Sequence, residues 1–146
     1  NNYAVNNYAT GEHIILLNND IKIISSNWIE EMLMYSQREE IGCVGAKLYY
    51  PDKRIQHAGV IIGIYGCTGH SHKYYNFNSN GYFYRLVSVQ NMSAVTAACL
   101  MIKTKIYKEL NGLDEINLEV AFNDVDFCLR VQENGYRNIF TPYCEA

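Results

Sequence analysis

Apolar positions in this chain fall into short runs separated by polar turns, and the spacing inside each run predicts an element. In residues 1–9, Tyr3, Ala4 and Tyr8 recur at roughly helical spacing before Gly11, the pattern of a helix tail. Residues 12–18 carry an apolar run without alternation. Such a run predicts a strand covered on both faces, as in a parallel sheet. In residues 25–40, Trp28, Met32 and Tyr35 lie at helical spacing, and Ser25, Ser26 or Asn27 can cap the helix. IGCVGAKLYY, residues 41–50, predicts a second strand stopped by Pro51-Asp52. IQHAGVIIG, residues 55–63, predicts a third.

The pattern weakens over residues 63–87, a long segment rich in Gly, Asn, Ser and Tyr. Loops of this length inside compact domains are functional or mobile. SAVTAACLMIK, residues 93–103, predicts a strand with small residues in its middle. Residues 104–115 predict a short helix ended by Gly112. FNDVDFCLRVQENG, residues 122–135, predicts a helix ended by Gly135, and YRNIFT, residues 136–141, a last strand. Strands alternating with helices predict an α/β fold, with a mixed, mostly parallel sheet flanked by helices.

Composition narrows the function classes. Hydrophobic residues make up 49% of the 146 and charged residues 18%, enough for one domain with its own core. The net charge of −3 comes without a basic stripe, which argues against nucleic acid as partner. The longest nearly uncharged apolar stretch, AGVIIGIYG, is far short of the roughly 20 residues of a membrane span. Cys43, Cys67, Cys99, Cys128 and Cys144 are odd in number, widely spaced and without a CxxC pair. They predict reduced, mostly core-filling thiols and a cytoplasmic protein, at most peripheral to the inner face of a membrane.

Two short stretches carry candidate chemistry. In open α/β sheets ligands bind beyond the carboxyl ends of strands, and Asn18, Asn19 and Asp20 follow the first strand directly. Asp20 is a hard oxygen ligand suited to Mg2+ or Mn2+ shared with phosphates. A plain polar turn accounts for the same three residues. In the second stretch, FNDVDFCLR, Asn123 is a natural N-cap and Asp126 can answer it as in a capping box. Projection at about 100° per residue separates the two aspartates. Asp126 falls beside Arg130, at the offset of a helical ion pair. Asp124 falls within the apolar arc of Val125, Phe127, Cys128, Leu129 and Val131. A carboxylate aimed inward is costly unless paired or used, and desolvation suits it to act as a base.

Taken in order, LLNND at 16–20, NWIEEML at 27–33, IGCVGAKLYYPD at 41–52, IQHAGVIIG at 55–63, VQNMSAVTAACLMIK at 89–103, NGLDE at 111–115 and residues 122–146 resemble the family 2 glycosyltransferases. The likeness is greatest to the bacterial enzymes that build O-antigen, rhamnan and related surface polysaccharides. It covers nearly the whole chain. It implies a GT-A, Rossmann-like nucleotide-diphospho-sugar transferase fold. It also implies inverting, metal-dependent transfer of a sugar from a nucleotide-diphosphate donor to a glycan or lipid-linked glycan acceptor. On this resemblance NND is the DXD-type motif: Asn18, Asn19 and Asp20 contact the donor, Asp20 holds Mg2+ or Mn2+, and Asp124 is the base. Asn18 stands where many relatives have aspartate and Asn123 where many have glutamate, so cation affinity is expected to lean on the donor's phosphates.

The resemblance further implies that residues 1–146 form one partial domain, the metal-site strand plus the acceptor-side half. The family's nucleotide-gripping early strands are expected before Asn1, and a metal-binding histidine after Ala146. Weak donor binding by this piece alone and self-association through an open sheet edge are the corresponding expectations. Two other functions fit the pattern less well. A non-catalytic carbohydrate-binding or scaffolding module would explain the amides at 18 and 123. A sugar nucleotidyltransferase would carry a Gly-rich phosphate loop, which is missing here.

Three further features invite a function. Cys67, His70 and His72 in GCTGHSHK do not have a standard zinc spacing, and a loop near a substrate is the better reading. His57 reads as a satisfied strand histidine. The aromatics at 74, 75, 77 and 82–84 suit either sugar stacking or anchoring of their own loop.

Overall fold

A computed structural model describes the backbone of residues 1–146 and every side chain except that of Tyr65. The chain opens with helix α1 (Asn2–Tyr8) and strand β1 (His13–Leu17), then helix α2 (Trp28–Ser36) and strand β2 (Ile41–Tyr49). Three short strands follow: β3 (Ile55–His57), β4 (Val60–Ile62) and β5 (Thr68–His70). Residues 82–87, turned by left-handed Phe83 and Tyr84, lead to β6 (Gln90–Met92), β7 (Cys99–Lys103), α3 (Thr104–Glu109), α4 (Asn123–Glu133) and β8 (Arg137–Glu145).

The main sheet has the order β1-β7-β2-β8-β6, with β3 joined to the end of β2 and β4–β5 a separate hairpin. It is mixed, as predicted, but not mostly parallel. Only β2 and β8 run parallel, while β1–β7, β2–β7, β2–β3 and β6–β8 are antiparallel. The misreading has a physical source. The apolar run of β1 does serve two faces: Ile14 and Leu16 pack into one core cluster and Ile15 into the other. Burial on both faces says nothing about strand direction, and β1 is a terminal strand of the sheet order.

Helices cover both faces. Met32 of α2, fully buried, joins Val44, Leu48, Met101 and Ile139 on one side, with Trp28 and Tyr35 packed at its rim as their spacing predicts. Phe127, Cys128 and Val131 of α4 and Ile106 and Tyr107 of α3 fill the other with Leu100, Ile102 and Phe140. Strand β2 lies between and is buried from Ile41 to Leu48. Its glycines set how close the upper layer comes. A Cβ on Gly42 would lie 2.2 Å from Val131 Cγ1, and one on Gly45 2.4 Å from Val95 Cβ. The register slips between Ile41 and Val44. Fully buried Asn138 repairs the slip by accepting the Cys43 N–H at 3.3 Å and donating to the carbonyls of Ser93 and Cys128.

Other boundaries moved. The predicted strand at 55–63 is broken after His57, where Gly59 adopts φ +90°. Only Cys99–Lys103 of the predicted 93–103 strand joins the sheet, and β8 runs on through Pro142 to Glu145. Four cysteines are buried free thiols and Cys67 is exposed. Among the described residues no helix is long and apolar enough to cross a membrane.

Candidate active site

The NND stretch makes both a turn and an open polar surface. The Asn18 N–H donates to the Ala98 carbonyl at 3.0 Å, and the Asn18 carbonyl accepts the Ile21 N–H at 3.3 Å. With the backbone so occupied, the side chains of Asn18, Asn19 and Asp20 are exposed. A cleft of about 910 Å³ opens beside them, lined by Asn18, Asp20, Tyr49, Lys53, Gln56 and Glu145 among others; Asn19 is outside that lining. The cleft lies at the carboxyl ends of β1, β2 and β8, where open α/β sheets bind ligands.

One wall of the cleft is a preset polar group. Tyr49 Oη donates to Glu145 Oε1. Lys47 Nζ, almost fully buried, lies 4.0 Å from the same oxygen and donates to the Leu86 carbonyl at 3.1 Å. Burial pulls the Lys47 ammonium below its ordinary range, with the Glu145 charge opposing. Burial, then the Glu145 hydrogen bond, pushes the Tyr49 phenol up, so it stays a donor. These residues were not singled out from sequence, because Lys47 and Tyr49 read as part of an apolar strand.

Asp124 sits in the first turn of α4, half-buried. Its Oδ1 accepts the Val125 N–H at 2.9 Å and its Oδ2 the Ala97 N–H at 3.1 Å. The helix projection separated the two aspartates correctly: Asp126 pairs with Arg130 at 2.8 Å instead of facing inward. Asn123 does not cap the helix. Phe122 holds the N-cap position with φ 65°, and no side chain caps the helix end. The acidic first turn lies instead against the positive helix end.

The segment between these two stretches joins them. The N–H groups of Val95, Thr96, Ala97 and Ala98 donate to Cys128 Sγ, His57 Nε2, Asp124 Oδ2 and Thr96 Oγ1. Four successive peptides are thus committed to side chains, which is why the predicted strand starts late. Ala97 holds Asp124, while its neighbour Ala98 holds Asn18 and lines the cleft. Asn18 and Asp20 therefore share the cleft, and Asp124 is fixed to its wall without being among the lining residues.

Among the described residues no three His, Cys, Asp or Glu side chains converge as a metal site. Asp20 offers one hard carboxylate with the Asn18 amide nearby. That donor set fits a Mg2+ or Mn2+ shared with phosphate oxygens, not a cation caged by protein alone.

His57 and His70 pair beside the segment at 95–98. His57 is fully buried, as a satisfied strand histidine should be. Its Nε2 accepts the N–H groups of Gly59 at 3.2 Å and Thr96 at 3.4 Å, and its Nδ1 lies 2.8 Å from His70 Nδ1. His72 Nε2 accepts the Tyr82 N–H at 3.2 Å, tying down the aromatic loop. That loop divides. Tyr74 stacks on Tyr50, while Tyr82, Phe83 and Tyr84 stay 67%, 80% and 64% exposed.

No protein-family model matches the chain. Two proteins are similar to nearly all of it. One, of Sinorhizobium fredii (strain NBRC 101917 / NGR234), bears the name "Uncharacterized protein y4gI"; it is 52% identical over 146 residues, which is 97% of this chain and 16% of that protein. The other is the O-antigen biosynthesis protein RfbC of Myxococcus xanthus, 34% identical over 154 residues, 94% of this chain and 11% of that protein. The chain therefore spans a small part of the length of either relative.

Proposed function

We propose that this chain is the metal-site strand and acceptor-side half of a GT-A glycosyltransferase domain of the family 2 type. It would transfer a sugar from a nucleotide-diphosphate donor to a hydroxyl of a glycan or lipid-linked glycan, with inversion, in polysaccharide synthesis. The observation that carries this reading is the pair of successive residues Ala97 and Ala98, one holding Asp124 and the other holding the start of the NND turn. The name of the Myxococcus xanthus relative supports the polysaccharide context.

On this reading Asp20, with Asn18 and Asn19 beside it, would hold Mg2+ or Mn2+ together with the donor diphosphate. The bound cation supplies neutralisation of the charge that builds on the departing diphosphate. Asp124 takes the acceptor hydroxyl proton as the oxygen attacks the anomeric carbon on the face opposite the leaving group. Two backbone N–H groups fix its carboxylate and leave further lone pairs for that proton. Holding both sugars in line removes much of the entropic barrier. Unpaired buried thiols and a nucleotide-sugar donor fit a cytoplasmic reaction, with lipid-linked acceptors reached at the inner face of the membrane. The outer edge of β1 has no strand partner among the described residues, and a second copy or further chain is proposed to cover it.

The test supplies the full-length protein with UDP-, GDP- and dTDP-hexoses plus Mn2+ and measures release of nucleoside diphosphate. Asp20→Ala should abolish it, and Asp124→Asn should lower it about 10²–10⁴-fold. Turnover by both variants at the parent rate would remove the site assignment. Sugar binding without release by the parent would favour the non-catalytic carbohydrate-binding module, the reading that the amides at Asn18 and Asn123 keep in play.

A further inference from the structure

The two buried-side histidines permit a deduction about protons. Backbone N–H groups only donate. Because Gly59 and Thr96 both donate to His57 Nε2, that nitrogen carries no proton. Neutral His57 must then carry its proton on Nδ1 and donate it to His70 Nδ1, 2.8 Å away. Neutral His70 is left with its own proton on Nε2. Among the described residues nothing accepts that proton, and His70 is only half-buried. The hairpin β4–β5 carries His70 opposite Val60, whose N–H donates to Ala94 in the segment that also holds Asp124. Lys73, Asp124 and His57 are the titratable groups that face His70.

We propose that His70 binds the acceptor sugar, donating its Nε2–H to a hydroxyl oxygen beside Asp124, and that His57 is the positioning residue that fixes this tautomer. The assignment rests on the reading of Asp124 as base. A neutral donor suits an acceptor that arrives as an uncharged polyol, since it orients the sugar without competing for the Asp124 charge. The fixed tautomer is the useful part: an unrestrained imidazole would spend part of its time offering a lone pair instead of a proton.

The test has two arms in the full-length protein. Long-range 15N–1H spectra at pH 7.5 should report a proton on Nδ1 of His57 and on Nε2 of His70. A proton on His70 Nδ1, or a charged imidazolium, overturns the assignment whatever the activity. In the kinetic arm the donors are UDP-, GDP- and dTDP-hexoses and the acceptors are methyl glycosides. His70→Ala should raise the acceptor KM about tenfold, the scale of one lost hydrogen bond, with the donor KM unchanged. His70→Gln, which keeps an N–H donor, should recover most of the loss and serves if the alanine variant fails to fold. An unchanged acceptor KM in both variants, with Asp124→Asn inactive, overturns the role of His70 and spares the base. Full turnover by Asp124→Asn instead overturns the reading of the base itself.

Discussion

The Asp124 carboxylate accepts the Ala97 backbone N–H at 3.1 Å, across 27 positions of sequence. This bond orients a proposed base and also satisfies a peptide that has left the sheet. The two roles respond differently to substitution. Asp124→Asn retains one acceptor oxygen for Ala97, turns its NH2 toward the Val125 N–H and cannot take a proton, so turnover should fall about 10²–10⁴-fold at a stability cost of about 1 kcal/mol. Asp124→Ala leaves the Ala97 donor unpaired and should also cost about 1–3 kcal/mol. Nucleoside diphosphate release and urea unfolding on both variants separate the roles.

Arg130 anchors α4 from its outer side. It bonds Asp126 through Nε at 2.9 Å and Nη2 at 2.8 Å, and donates to the carbonyls of Leu110 at 2.5 Å and Gly112 at 2.8 Å. Those carbonyls lie at the C-cap of α3 and in the turn that follows it. The ion pair is a partly exposed i,i+4 pair worth about 0.3–0.5 kcal/mol. The bonds to carbonyls should dominate, so Arg130→Ala is expected to destabilise by about 2 kcal/mol. Asp126→Ala should cost much less, and Arg130→Lys should recover little, because an ammonium cannot span both carbonyls and the carboxylate. Thermal unfolding of the three variants checks the ranking.

How much of this was legible in the chain depends on where each partner lies. Helices α2 and α4 and the buried strand β2 follow from local periodicity, and so does the split between Asp124 and Asp126. Residues 93–98 read as strand because small apolar residues suit one, yet the N–H groups of Val95, Thr96 and Ala97 go to Cys128, His57 and Asp124, 27 to 39 positions away. The pairing of His57 with His70 is hidden for the same reason, since only the β4–β5 hairpin brings IQHAGV and GHSH together. Strand direction was misjudged because an apolar run records burial on two faces and not polarity. Asn123 looked like a cap from composition, whereas the backbone places Phe122 there in a left-handed conformation.

Gly42 sets the depth of α4 on the sheet. An added methyl would lie 2.2 Å from Val131 Cγ1 and 3.2 Å from Tyr136 Cβ, with a fully buried helix face behind it. Gly42→Ala should therefore destabilise by about 1–3 kcal/mol through overpacking. Val131→Ala removes the clashing methyls and leaves a cavity of its own. The double variant should lose less than the sum of the two, a coupling of about 0.5 kcal/mol or more that a denaturation cycle resolves. Strict additivity would mean that the helix shifts away instead of clashing.

The histidine cluster gives stability a pH dependence whose sign is fixed. Burial, then the neighbouring His70, holds His57 well below the ordinary 6.5. Burial and Lys73 lower His70, with Asp124 opposing, and burial and Arg85 lower His72. The unfolded chain takes up these protons near pH 6.5, while the folded chain resists until lower pH. Between those points the unfolded state binds more protons, so stability falls as pH drops, by about 1.4 kcal/mol per pH unit for each proton. Protonating His70 would also turn its Nδ1 into a donor facing the Nδ1–H of His57, so one of the two bonds to His57 or the hairpin contact must break. Urea unfolding should show stability level above pH 7 and declining steadily from pH 6.5 to 5. His57→Gln should be less stable at pH 7.5 yet flatter over that acid range, because a permanently neutral side chain has no proton to refuse. A variant whose stability declined as steeply as the parent's would show that His57 does not govern the acid limb.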